Sequence, residues 1–374
     1  MSKKKKEVEV FLKNFKKDKK IQKDLDKNSS FSKILNEIFL SLIFIVLVLI
    51  VILIVFFFLK TAEEETEIIP ACGDGTFYGT CSLNKPYICD QGVLTERASL
   101  CGCPDDFYKD DDFCISEYHV NSLDLSFNYV LRGEEGVIDF RAYFGILDEI
   151  SYSPKFLSYE EGELFLRSDF KLNRINNKLQ RQAILPLVIR IQNMAPNNKE
   201  DQARIAISLI QNIPYNESEN YLTVGKTKLA LSRFPYQVLF DQSASCEGKS
   251  ELLILILKEL GYGVSLFYYN MENHEAVGIK CPLEYSLDGS GYCFVETTSP
   301  SIITDDSGEY FGAGKLFSSP EVIILSDGIS LSENIYEYGD AKFYSRLRYK
   351  GEINFFNVKR WNEIKEKYGL NNGV

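Results

Sequence analysis

The most regular hydrophobic pattern in the chain is one long apolar run near its beginning. Between Ile38 and Leu59, a stretch of 22 residues, Ser41 is the only polar side chain. At about 1.5 Å per residue, a helix of this length crosses the ~30 Å hydrocarbon core of a bilayer. The run and the segment before it are longer than those of a cleavable signal peptide. The pattern therefore predicts an uncleaved transmembrane anchor.

The charges on either side of this run predict its direction. Residues 1–37 carry 12 lysines against 6 acidic residues, and four glutamates follow the run at Glu63, Glu64, Glu65 and Glu67. The positive-inside rule then predicts a single-pass protein with a cytoplasmic N-terminus and an extracytoplasmic C-terminal domain. The tail is either solvated only or also touches anionic lipid headgroups. The whole chain has a net charge of −11 and the tail one of +6, so the residues after the tail carry −11 − 6 = −17. This negative charge disfavours nucleic acid as a partner.

Hydrophobic periodicity beyond residue 120 predicts a mixture of strands and helices, an α+β protein. Strands are predicted at 123–127, 137–143, 264–268, 274–280 and 292–298, with one or two more after residue 315. Helices are predicted at 182–193, 199–213, 252–260 and near 358–367. Gly261 is well placed to end the third of these helices.

Nine cysteines divide into a cluster of six, a pair and one remainder. The cluster occupies 43 residues and consists of Cys72, Cys81, Cys89, Cys101, Cys103 and Cys114. So short a segment cannot build a sufficient core, so the pattern predicts a module with three disulfides, and 15 pairings are open. A zinc site is the alternative, although paired C-x-x-C motifs are missing and His119 is the only histidine nearby. The module would serve as a compact spacer or binding knob.

The pair and the remaining cysteine raise separate questions. If Glu296 lies opposite His274 in a hairpin, Cys281 and Cys293 are four positions apart, too far for a disulfide unless Pro282 bends the loop. The sequence does not decide whether Cys281 and Cys293 form a disulfide. Cys246 is then either a buried thiol or a reactive one.

Three residue types in one order indicate thiol chemistry around Cys246. The residue begins an apolar helix, where unpaired amides and the helix dipole favour a thiolate and an oxyanion. His274 follows at the start of a predicted strand, as a base would, and Glu296 lies on the next strand, as the group that orients it. Pairing His274 opposite Glu296 would place both side chains on one face.

These residues and their surroundings resemble the transglutaminase-like superfamily of papain-like cysteine enzymes, especially archaeal, membrane-anchored members. The resemblance covers roughly residues 199–300 and is carried by the segments at 201–206, 233–241, 245–250, 260–263, 273–277 and 291–298. It implies Cys246 as nucleophile, His274 as general base and Glu296 as the acid, a position more often occupied by Asp in the superfamily. It also implies a papain-like core, with the cysteine at a helix N-terminus packed on an antiparallel sheet.

The resemblance also bears on cofactors and neighbouring residues. The calcium-site signature of the animal enzymes is not evident, so no metal and no cofactor are predicted. Lys249 and Ser250 are expected to face the helix exterior or to support packing. Tyr236 or Gln242 would be available as oxyanion donors.

The sequence thus predicts a membrane-anchored, extracytoplasmic cysteine enzyme that acts on a protein or peptide substrate through an acyl-enzyme. It would be a peptidase or amidase, or an acyltransferase. The alternative is a non-catalytic ectodomain that binds envelope components. The predicted divisions are a basic tail (1–37), anchor (38–59), acidic linker (60–71), cysteine module (72–116), β-rich region (120–180), transglutaminase-like core (181–325) and C-terminal extension (326–374).

Overall fold

The structure is a computed structural model that describes residues 39, 41–54, 71–153, 167–217, 220–224, 227–350, 355 and 357–370. The chain divides into two compact units, Met1–Ile68 and Ile69–Val374. In the first unit, residues 41–54 form helix α1, whose side chains are exposed. Among the described residues, no helix is both long and apolar enough to cross a membrane. The basic tail, the rest of the predicted anchor and residues 60–70 of the linker lie outside them.

Two small hairpins and three disulfides form the cysteine module. Strands β1 (Tyr87–Asp90) and β2 (Val93–Glu96) pair antiparallel, as do β3 (Tyr108–Asp110) and β4 (Phe113–Ile115), with helix α2 (Ala98–Cys101) between the hairpins. The disulfides join Cys72 to Cys89, Cys81 to Cys101 and Cys103 to Cys114. All six cysteines are thus used as predicted, and one of the 15 pairings is selected.

A long hairpin and two helices follow the module. Strands β5 (Ser122–Leu131) and β6 (Glu134–Tyr143) confirm the two strands that alternation predicts and extend both of them. Helices α3 (Phe144–Ser151) and α4 (Arg167–Ile175) were not predicted.

Four helices surround the position of Cys246. They are α5 (Lys178–Met194), α6 (Lys199–Asn212), α7 (Pro235–Asp241) and α8 (Cys246–Glu259), with the hairpin of β7 (Asn220–Val224) and β8 (Thr227–Leu231) between α6 and α7. Every residue of α8 from Gly248 to Leu257 is buried, so this helix lies in the centre of its unit. Gly261, with φ of +93°, follows its end as predicted.

One antiparallel sheet of four strands packs against α8. Its order is β11 (Tyr292–Val295), β10 (His274–Lys280), β9 (Val264–Tyr269) and β14 (Glu321–Ser326). The short strands β12 (Glu309–Tyr310) and β13 (Gly314–Lys315) form a separate hairpin, and helices α9 (Tyr336–Lys350) and α10 (Val358–Tyr368) complete the unit. The alternation of side chains divides the sheet into two apolar faces. The face with Val277 and Val295 joins the core that contains α8, and the face with Phe267 and Phe294 packs with Tyr310.

The register between β10 and β11 differs by two residues from the predicted one. Val277 pairs with Val295, which places Glu296 opposite Ala276 rather than opposite His274. The strand also ends at Val295, three residues earlier than predicted. A shift by two residues keeps each side chain on its face. Glu296 and His274 therefore remain on one face, as diagonal neighbours.

The same register decides the bridge that the sequence left open. Cys293 pairs with Ile279, so Cys281 lies two positions from it instead of four. The two Cα atoms are 5.7 Å apart and the disulfide forms. A Cα separation of this size is typical of disulfides. The bridge closes the turn of the hairpin that carries His274.

Candidate active site

Cys246 is the first residue of α8 and, among the cysteines that the structure describes, the one outside a disulfide. Ser245 is the N-cap residue of α8, and serine is among the residue types preferred at this position. Within the described part of the chain, however, its hydroxyl caps no amide of this helix. The first amides of a helix have no partner in the helix itself, so they can donate to a thiolate or to an oxyanion. Cys246 is half-buried.

His274 and Glu296 form a direct hydrogen-bonded pair beneath the surface. His274 is the first residue of β10, and its Nε2 lies 2.9 Å from Oε2 of Glu296. The two residues are 1% and 0% exposed. The Cys246 side chain lies near the His274 ring and contributes to the rise in its pKa. Because Nε2 faces the carboxylate, we assign Nδ1 to the thiol. The structure thus brings together all three predicted catalytic residues.

The protonation of His274 is set by these two neighbours. Burial lowers its pKa, but hydrogen bonds to Cys246 and Glu296, together with their charges, more than offset that effect and raise the pKa to about 10. Burial would raise the pKa of Glu296, yet the bond and charge of His274 and the donors of Thr298 outweigh it and lower the pKa. At neutral pH, the ring is therefore an imidazolium beside a carboxylate.

The second oxygen of Glu296 is fixed by the loop that follows β11. Oε1 accepts from the amides of Thr297 at 3.0 Å and Thr298 at 2.8 Å, and from the Thr298 hydroxyl at 2.7 Å. Three donors on one oxygen favour the ionised carboxylate. They also fix its rotamer, so that Oε2 remains directed at His274. Strand β11 ends at this point because the Glu296 carboxylate is bonded to its own loop.

The second turn of α8 is bonded to residues that neighbour His274 and Glu296 in the chain. Ser250 Oγ donates to the carbonyl of Glu275 at 3.1 Å and lies 3.2 Å from the Thr297 hydroxyl. Lys249 Nζ donates to the carbonyl of Thr298 at 3.2 Å. Both side chains are fully buried. Of the two alternatives expected for Lys249 and Ser250, the helix exterior or support of the packing, the structure shows the second for both residues.

A buried ion cluster spans the residues that follow Cys246 and His274. Lys171 of α4 is 1% exposed, and its Nζ lies 2.7 Å from Glu247, 3.0 Å from Glu251 and 3.0 Å from Glu275. Arg174 also pairs with Glu251 at 2.9 Å. Burial would lower the pKa of Lys171, but the three carboxylates outweigh it and raise the pKa. The Lys171 ammonium thus links Glu247, the residue after Cys246, to Glu275, the residue after His274.

Two aromatic side chains lie beside the His274 ring. The ring of Tyr310, in the hairpin of β12 and β13, is parallel to the His274 ring at a centroid distance of 6.3 Å. Its hydroxyl donates to the carbonyl of Asp305 at 2.6 Å, which fixes its position. Tyr269 lies at 6.4 Å on the same face of the sheet. These rings exclude water from the pair of His274 and Glu296.

The two oxyanion donors suggested by the sequence have different outcomes. The Tyr236 hydroxyl accepts from the amide of Tyr143 at 2.6 Å and donates to its carbonyl at 3.3 Å, so it serves the packing of β6. Gln242 ends α7 in a left-handed conformation, four residues before Cys246. Its position remains compatible with the predicted role.

The chain matches no protein-family model, no curated protein and no solved structure.

Proposed function

We propose that this chain is a membrane-anchored cysteine enzyme with a transglutaminase-like, papain-type core. It acts outside the membrane on amide or peptide bonds through an acyl-enzyme. The observation that supports this proposal best is the position of Cys246, at the start of α8 and near His274, whose ring is hydrogen-bonded to Glu296. A thiol at the start of a helix, beside an imidazole that a carboxylate orients, is the arrangement that nucleophilic catalysis requires.

The reaction follows from the charges of these groups. The Cys246 thiolate attacks the carbonyl carbon of an amide, and the amides at the start of α8 stabilise the oxyanion. The C–N bond then breaks as His274 gives its proton to the departing amine, which leaves a thioester on Cys246. In the second half, His274 takes a proton from the incoming water or amine, and the thioester is cleaved to an acid or a new amide.

Hydrolysis is the outcome we favour for the second half. An accessible thioester meets water at bulk concentration unless the site excludes it, and the Cys246 side chain is only half-buried. Transfer to a lysine amine uses the same residues and remains the competing outcome.

The extracytoplasmic location rests on two features of the chain. The apolar run of residues 38–59, with its lysine-rich N-terminal flank, has the length and charge asymmetry of a signal anchor. Four disulfides in the second unit are typical of oxidising compartments. We therefore place the C-terminal domain outside the cell membrane, with a protein or peptide substrate.

One experiment separates the possible reactions. The full chain is incubated with a peptide library and a primary amine, and the products are analysed by mass spectrometry. Cleaved peptides indicate hydrolysis. A mass increase equal to the mass of the amine minus that of ammonia indicates transfer, and conversion of Gln to Glu indicates deamidation. Cys246→Ala is expected to abolish every product. Products that persist in this variant, or none from the native chain, would leave the non-catalytic binding ectodomain as the better account.

A further inference from the structure

The Lys171 ammonium joins the helix that carries the nucleophile to the strand that carries the base. Its Nζ donates to Glu247 and Glu251 of α8 at 2.7 and 3.0 Å, and to Glu275 of β10 at 3.0 Å. An ammonium group has three N–H donors, which matches three carboxylates. Lys171 is 1% exposed, and hydrogen bonds are stronger in such a buried site than in water. These contacts therefore fix α8 and β10 to one nitrogen atom.

Two of the three carboxylates lie one residue from a predicted catalytic residue. Glu247 follows Cys246 at the start of α8, and Glu275 follows His274 at the start of β10. A glutamate whose side chain is held by an ion pair also restrains its own backbone and that of the residue before it. The contacts of Lys171 thus restrain both chain segments from which the thiol and the imidazole project.

Without this cation, the same interface would carry repulsion. Glu251 and Glu275 are 0% and 6% exposed, and like charges close together in a buried site repel each other. In the described part of the chain, Arg174 pairs with Glu251 of α8, whereas the cation that reaches Glu275 of β10 is Lys171. Ser250 Oγ also links α8 to the carbonyl of Glu275, at 3.1 Å. That bond is neutral, and charge-assisted bonds are roughly twice as strong.

We propose that Lys171 is a positioning residue for the reaction, which holds the start of α8 against the start of β10 and so keeps the Cys246 thiol within reach of the His274 imidazole. The inference rests on the proposed cysteine chemistry and deepens it. Proton transfer between two side chains requires hydrogen-bond distance, and a misplacement of about 1 Å can cost about 100-fold in rate. Loss of Lys171 should therefore slow the reaction most at a pH where the thiol needs the imidazole in order to ionise.

The test is the rate of alkylation of Cys246 by iodoacetamide between pH 5 and 9.5 in the full chain. The other eight cysteines are in disulfides, so the label reports on one thiol. For Lys171→Met, we expect about tenfold slower alkylation at pH 6. The ratio to the native rate should approach one at pH 9.5, where a thiol with an ordinary pKa of about 8.5 is mostly ionised.

Arg204→Met is the matched control for the loss of a buried cation. Arg204 pairs with Asp201 at 2.8 Å and with Glu337 at 2.6 Å, so it joins α6 to α9 rather than α8 to β10. This variant should also lower the urea midpoint, because it leaves carboxylates without their partner. Its alkylation rate at pH 6 should nevertheless stay within about twofold of the native rate, since neither α8 nor β10 loses a contact.

Two substitutions of Glu247 test the same restraint while Lys171 and the other two carboxylates stay in place. The Glu247 side chain is 30% exposed, so the fold should tolerate both changes. Glu247→Gln keeps an oxygen that accepts from Lys171, whereas Glu247→Ala does not. Both remove the same negative charge beside Cys246, so an effect of charge alone would be equal in the two variants. The positioning role predicts that Glu247→Ala reacts about tenfold more slowly than Glu247→Gln at pH 6.

The outcomes separate this inference from the proposed function. A folded Lys171→Met protein that reacts at the native rate at pH 6, or with the same ratio to it at every pH, overturns the inference, and so do equal rates of the two Glu247 variants. If Lys171→Met does not fold, the Glu247 variants decide. His274→Ala should add little to the effect of Lys171→Met, because the contact is already lost, and additive effects overturn the inference too. A native thiol that reacts no faster than the unfolded one, with no effect of His274→Ala, overturns the proposed function itself.

Discussion

Replacement of Glu296 by glutamine tests the role of the acid with almost no change in shape. Oε1 of Glu296 accepts three hydrogen bonds from Thr297 and Thr298, so the glutamine oxygen must take that position. The new NH₂ group then faces Nε2 of His274, which the carboxylate oxygen faces at 2.9 Å in the native protein. Because NH₂ is a donor, the ring can only accept there, and its proton must move to the nitrogen beside the thiol. A ring with that tautomer cannot take a proton from Cys246.

The structure also gives the size of the effect. The rise in the pKa of His274 from 6.5 to about 10 corresponds to about 5 kcal/mol at 1.36 kcal/mol per unit. Cys246 and Glu296 each contribute a hydrogen bond and a charge, so we assign roughly half, about 2.4 kcal/mol, to Glu296. The lowered pKa of Glu296 describes the same interaction and is counted once. We therefore expect Glu296→Gln to slow the reaction of Cys246 about 50-fold at neutral pH.

The assay is alkylation of Cys246 at pH 7, followed by mass spectrometry of the modified peptide. Glu309→Gln removes an exposed carboxylate from β12 and serves as the control, with a rate near that of the native chain. Urea unfolding of each variant checks that the fold persists. A Glu296→Gln protein that is folded and reacts within threefold of the native rate would refute this account of the acid.

Three further predictions concern stability. Lys171→Met leaves two buried carboxylates, Glu251 and Glu275, and the half-buried Glu247 with Arg174 alone. It should lower the free energy of unfolding by about 3–5 kcal/mol. Lys178→Met on the exposed surface should hardly move the urea midpoint, and equal effects would contradict the cluster. Because the folded pKa of His274, about 10, exceeds its unfolded value of 6.5, its stabilisation is complete below about pH 6.5 and is lost as the pH rises through about 10. The difference in unfolding free energy between native and His274→Ala protein should shrink accordingly, and a constant difference would contradict the pairing. Replacing Cys281 and Cys293 together by alanine opens a loop of 12 residues and should cost about 3 kcal/mol, measured by urea unfolding; a loss below about 1 kcal/mol would show that the bridge adds little.

The sequence predicted that His274 and Glu296 share one face of the sheet, but it did not predict the register of their strands. Alternation specifies which side of a strand each residue occupies, and His274 and Glu296 have the right parity for one face. Which residue pairs with which depends on the turn between the strands. Here that turn contains two short 3₁₀ helices, Leu283–Tyr285 and Leu287–Gly289. Because the observed register differs from the predicted one by two residues, His274 and Glu296 still share a face. The same difference brings Cys281 close enough to Cys293 for a disulfide.

The residues that hold the site in place were the harder part to predict. A lysine within an apolar helix is usually assigned to the surface, and the partners of Lys249 are carbonyl groups on α6 and on the loop after β11. Every residue has a backbone carbonyl, so the sequence does not show which of them accepts a hydrogen bond from a side chain. Lys171 belongs to α4, which has too few apolar residues to be recognised as a buried helix. The available signal was the position of Lys249, three residues after Cys246 on a helix whose other faces are apolar.

The most direct test of the central claim is the reactivity of Cys246 at pH 6. An unfolded thiol with a pKa near 8.5 is only about 0.3% thiolate at this pH. We predict that iodoacetamide modifies Cys246 in the native chain at least about tenfold faster than in urea, and that His274→Ala removes the difference, because the imidazolium holds the thiolate. A native rate no higher than the unfolded rate, and unchanged by His274→Ala, would contradict the assignment of Cys246, His274 and Glu296 as a catalytic triad.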